Sequence, residues 1–101
     1  MSTVIVQYKV KPDAADKNVA YVKAVFEQLK ANSPAGLRYA SFVGDDGVSF
    51  VHIASIETDD GSNPLAQMSA FKAFTADIKD RCDEPPRPMA VTAVGAYRAF
   101  E

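Results

Sequence analysis

The chain has no tryptophan, one cysteine and one histidine among its 101 residues. A lone Cys82 excludes an internal disulfide and fits a reducing compartment, so a cytoplasmic protein is expected. A lone His52, with no clustered cysteines or carboxylates, excludes a metal site of ordinary ligand spacing. Charge of one sign is also scarce: eleven basic and thirteen acidic residues leave a net charge of −2. Without a basic stripe, nucleic acid is not an expected partner. No apolar run approaches the ~18–20 residues that span a bilayer, so no membrane association is expected. The N-terminus lacks the basic flank and apolar stretch of a signal peptide. Asp45, Asp46, Asp59 and Asp60 fall in turns, where turn chemistry explains them, and calcium-loop spacing is absent.

What is present is ordinary globular material, 48% hydrophobic and 24% charged, enough for one domain over residues 1–101 with a single core. Val4 to Val10 alternates as a first strand. Pro12 ends it, and Asp13 is the expected N-cap of a helix carrying Val19, Val22, Phe26 and Leu29 at helical spacing to about Ala31. Leu37 to Val43 reads as a second strand, joined by a tight turn at Gly44–Gly47 to a third. Asn63 and Pro64 open a second helix, with Met68, Phe71, Phe74 or Thr75, and Ile78 on its inner face, running to about Arg81. Pro85, Pro86 and Pro88 bar its continuation, and Met89 to Phe100 is the expected last strand.

The third strand, within residues 47–57, is the most informative segment. Phe50, His52, Ala54 and Ile56 point one way, Val51 and Ile53 the other. A strand with one wet face alternates apolar with polar, and this one does not. The element order βαββαβ implies a ferredoxin-like α+β fold, a four-stranded antiparallel sheet with both helices on one face. The opposite face then needs a cover from outside the subunit. At ~4.8 Å per strand and about six residues each, that face measures roughly 400 Å². Covering it is worth on the order of 10 kcal/mol per subunit before association costs. A homodimer with two sheets stacked face to face is the expected assembly.

Three stretches, VIVQYKVKP at 4–12, PAGLRY at 34–39 and FVHIASIE at 50–57, together resemble the antibiotic biosynthesis monooxygenase family of dimeric α+β barrels, over nearly the whole chain. The resemblance implies the fold above and a cavity between sheet and helices. It also implies either cofactor-free oxygenation of an aromatic or polyketide-like molecule, or a non-catalytic, stress-responsive dimer that holds a small apolar ligand. Ile56 stands where family oxygenases commonly carry a tryptophan, and His52 where some place an asparagine. Haem-degrading members need a histidine on the second helix, and residues 64–82 contain none.

His52 is the candidate catalytic residue, an imidazole among apolar neighbours that could remove a phenolic proton as a general base. Tyr8 and Tyr39 are its expected companions, able to orient a substrate oxygen. By resemblance, the faces carrying Tyr8 and His52 look into the cavity. Phe26, Met68, Phe71, Phe74 and Ile56 complete the expected lining. No cofactor is called for. Plain core packing accounts equally well for each aromatic, and the polar count inside the cavity is what separates enzyme from binding module.

Overall fold

A computed structural model of the chain describes residues 2–99. Four strands, β1 (Ser2–Val10), β2 (Leu37–Val43), β3 (Ser49–Ile56) and β4 (Cys82–Val91), form one sheet in the order β2-β3-β1-β4. Every neighbouring pair is antiparallel. Helix α1 (Ala15–Asn32) joins β1 to β2, and α2 (Ser69–Ala76) and α3 (Ile78–Arg81) lie between β3 and β4. This is the expected ferredoxin-like α+β arrangement.

Register explains which side chains meet. Val6 lies opposite His52, Tyr8 opposite Phe50, Tyr39 opposite Ala54 and Ser41 opposite His52. All share one face, because directly paired residues project the same way. That face packs on the helices. Tyr8, Val10, Val25, Phe50, Leu65, Met68 and Phe74 make the core, with Val19, Val22, Leu29, Phe71 and Ile78 packed against it. The other face carries Ala40, Ile53, Ile5 and Met89 as one row across all four strands. No element of the described chain is layered over this row, and Met89 is 64% exposed.

The second half departs from the sequence reading in three places. β4 begins at Cys82, not Met89, and runs through Pro85, Pro86 and Pro88. Prolines end a helix but are tolerated on an edge strand, where one row of amides has no partner. β4 is such an edge, and its ladder to β1 shifts register between Gln7 and Val10. Past Val91 there is no strand; Thr92–Ala99 holds only bends and a turn, and Phe100 lies outside the described residues. β1 supplies partners for β4 only as far as Thr3↔Val91, so the ladder stops there.

The expected single helix from Asn63 to Arg81 is three pieces. A 3-10 turn spans Leu65–Gln67, and Met68 is extended (ψ 135°) ahead of α2. Asn63 does accept a backbone hydrogen bond, from Leu65 N–H at 3.0 Å, but it caps only that turn. The start of α2 is capped from α1 instead, where Gln28 Oε1 accepts Ala70 N–H at 2.8 Å. Asp13 likewise makes no cap hydrogen bond: it sits in a 3-10 turn over Pro12–Ala14, and α1 starts at Ala15. No helix among the described residues is long and apolar enough to cross a membrane.

Candidate functional site

The polar groups of the interior form one connected chain on the helix-covered face. β3 presents His52, β1 presents Tyr8 and β2 presents Tyr39 and Ser41, all at positions fixed by strand parity. His52 Nε2 lies 2.7 Å from Tyr8 Oη. Its other nitrogen, Nδ1, lies 2.8 Å from Tyr39 Oη and 2.6 Å from Ser41 Oγ. Both imidazole nitrogens are thus engaged.

Beyond Tyr8 the chain continues into the helices. Asn18 Nδ2 on α1 donates to Tyr8 Oη at 2.9 Å. Arg81 Nε at the end of α3 donates to Asn18 Oδ1 at 3.3 Å, and its Nη2 donates to the Phe74 carbonyl at 2.6 Å. Asn18, His52 and Arg81 are all buried. Arg81 has no carboxylate partner among the described residues. Its guanidinium lies 4.6 Å from the ring centre of Tyr21 and 5.6 Å from that of Phe74, cation–π contacts that stand in for one.

Burial sets the protonation of these groups. Removal from water holds His52 down at about 4, because the imidazolium loses its hydration while the neutral ring does not. Tyr39 is pushed up to about 12, chiefly by burial, partly offset by a hydrogen bond from Ser41. Burial raises Tyr8 also, against the hydrogen bond from Asn18 that favours its ionised form. Near neutral pH the cluster therefore holds a neutral imidazole and two intact phenols.

A cavity of about 410 Å³ opens on this cluster, lined by Tyr8, Tyr39 and His52 together with Val4, Val6, Ala54, Leu65, Phe71, Phe74, Ile78 and the β4 prolines Pro86 and Pro88. Asn63, Thr75 and Lys79 add polar groups from the helical side. The β4 prolines, read from sequence only as helix breakers, thus form one wall. The size suits a small organic ligand. A second hollow, about 420 Å³, lies between α1 and β2 against Phe26, Ser41 and Phe50.

The structure brings together five of the sequence candidates, Tyr8, Tyr39, His52, Phe71 and Phe74, around the first cavity. Phe26 lies beside it, stacked on Tyr39 with ring centres 5.1 Å apart, and lines the neighbouring hollow. Met68 is buried in the core and borders a different surface groove; Ile56 does not reach the cavity. Sequence reasoning missed Asn18, Ser41 and Arg81. Asn18 carried a signal, a polar residue in register with Val22, Val25 and Leu29 on the apolar stripe of α1. Ser41 shares the parity of Tyr39. Among the described residues, no three or more His, Cys, Asp or Glu side chains gather as a metal site would need.

No family model matches the chain, and no curated protein matches it. Solved structures do. A structure of an antibiotic biosynthesis monooxygenase superposes with a TM-score of 0.75 at 22% identity, over 94% of this chain and all of that one. A Nitrosomonas europaea protein provisionally named an antibiotic biosynthesis monooxygenase gives 0.76 at 18% identity, over 94% and 100%. A Caulobacter crescentus protein with the same provisional name gives 0.70 at 23% identity, over 93% and 90%. At these identities the likeness is one of fold: the chain has the α+β architecture of the antibiotic biosynthesis monooxygenases along nearly its whole length.

Proposed function

We propose that the protein is a cofactor-independent monooxygenase for a small aromatic or polyketide-like molecule held in the cavity beside His52. The observation that carries this reading is a histidine hydrogen-bonded through both ring nitrogens to two phenols that line a largely apolar cavity, in a fold shared with proteins of that name. Asn18 donates to Tyr8, so the Tyr8 hydrogen is left for His52 Nε2. A substrate hydroxyl or activated C–H then gives its proton to Tyr8 as Tyr8 passes its own to His52. The imidazolium so formed keeps its Nδ1–H on Tyr39 and Ser41. His52 is the base and Tyr8 the group that touches substrate. Tyr39 orients the substrate oxygen.

The substrate anion supplies the electrons. For an anthrone-type methylene, dioxygen places one oxygen atom in a new C=O bond and leaves the other as water, which balances the loss of two C–H bonds. The apolar walls keep the anion from being reprotonated by solvent. We propose further that two subunits pair through the open sheet face, where Ile5, Ile53 and Met89 lie in one row.

Oxygen uptake with anthrones and small hydroquinones, compared between wild type and His52→Ala, tests the reading. Uptake lost in His52→Ala supports it; equal rates remove His52 as base. Ligand binding with no uptake over a broad panel points instead to a non-catalytic binding protein.

A further inference from the structure

Arg81 is not among the residues that line the cavity, yet it stands at the head of the hydrogen-bonded chain that ends there. A guanidinium can only donate. The Asn18 atom facing Arg81 Nε at 3.3 Å must therefore be its carbonyl oxygen, which turns the Asn18 amide nitrogen onto Tyr8. Tyr8 Oη accepts that bond and has one hydrogen, whose available acceptor is His52 Nε2 at 2.7 Å. Nε2 then carries a lone pair, so the neutral ring bears its proton on Nδ1, shared between Tyr39 and Ser41. With its oxygen accepting from His52 or Ser41, Tyr39 has its own hydrogen free for the cavity that it lines.

We propose that Arg81, acting through Asn18, is a positioning residue that fixes the direction of the whole chain, and that the cavity floor consequently presents a hydrogen-bond donor selecting ligands with a carbonyl or oxyanion at their buried end. The ligand half of this inference rests on the cavity being a binding site, as argued above; the direction of the chain does not. Reversing one link reverses all that follow. An Asn18→Asp carboxylate is isosteric but accepts on both sides, from Arg81 and from the Tyr8 hydroxyl. Tyr8 must then accept from Nε2–H, Nδ1 becomes the acceptor, and Tyr39 turns its hydrogen inward to it.

His52 is the only histidine, so long-range ¹H–¹⁵N correlation spectra of uniformly labelled protein read its tautomer without ambiguity. At pH 7, wild type is expected as the Nδ1–H form and Asn18→Asp as the Nε2–H form. A wild-type Nε2–H ring overturns the proposal, as does a folded Asn18→Asp that keeps Nδ1–H. Should Asn18→Asp fail to fold, the wild-type spectrum still decides. The ligand half is read with fluorenone and its ring-matched hydrocarbon fluorene. Wild type should prefer the ketone by about fivefold, the effect of one added hydrogen bond, and Asn18→Asp should lose that preference. Equal binding of the two by wild type overturns the ligand half alone; no binding of either removes the cavity as their site and leaves the tautomer result standing.

Discussion

His52 owes its weak basicity to the company it keeps. Phenyl and phenol rings surround it, with Tyr8, Tyr39 and Phe74 centred within 5.3 to 5.8 Å of the imidazole, and their two hydroxyls offset only part of the hydration that an imidazolium loses on burial. The cost appears as a pH-dependent stability. Its folded value, about 4, lies below the ordinary 6.5, so between those two values the unfolded chain binds more protons than the native one. This contribution is complete above pH 6.5 and is lost as pH falls toward 4, by up to about 3 kcal/mol. Chemical denaturation from pH 7 to 4 in wild type and His52→Gln measures it: wild type should lose the additional stability and His52→Gln should not. Tyr8→Phe is expected to cost about 1–3 kcal/mol, since the Asn18 amide is left buried without its acceptor. It should also remove oxygen uptake while His52 is still present, because the proton path is cut. Tyr39→Phe should keep the fold and slow turnover roughly 10- to 100-fold, if one oriented donor is withdrawn from the substrate oxygen.

The elements that place these side chains were legible in the sequence to differing degrees. Strand parity alone put Tyr8 and His52 on their faces, because a period of two leaves no freedom once the strands are recognised. The break of the second helix at Met68 and the strand through Pro85, Pro86 and Pro88 were not legible. Both depend on neighbours distant in sequence: the Gln28 cap from α1, and a position at the sheet edge. Arg81 was hidden for the same reason, since it meets Asn18 across 63 positions of chain. The turn between α1 and β2 shows how local chemistry can still set an element. Gly36 has φ +77°, and a Cβ there would meet Thr58 Cγ2 at 2.8 Å and Thr58 N at 3.0 Å. Gly47 has a similar φ of +75°, with nothing within 4 Å of its Cβ position. Gly36→Ala should therefore cost about 2–4 kcal/mol and Gly47→Ala about 1–2 kcal/mol, a difference that thermal or urea unfolding resolves.

At the scale of the whole molecule the sheet divides its labour. One face, under the helices, carries the core, the hydrogen-bonded chain and the cavity. The other carries the row of Ala40, Ile53, Ile5 and Met89 that we propose a second copy covers. Sedimentation equilibrium should find a dimer at micromolar concentration, and Ile53→Lys should weaken it roughly a hundredfold or more by burying an unpaired charge. A wild-type monomer at that concentration would refute the pairing and leave the cavity intact. The site itself stands or falls on whether His52 is a neutral base held away from water. Titration of its ring protons by NMR decides that directly, with a single histidine to follow in the entire chain. The account predicts a midpoint near 4; a midpoint at or above 6.5 would contradict it.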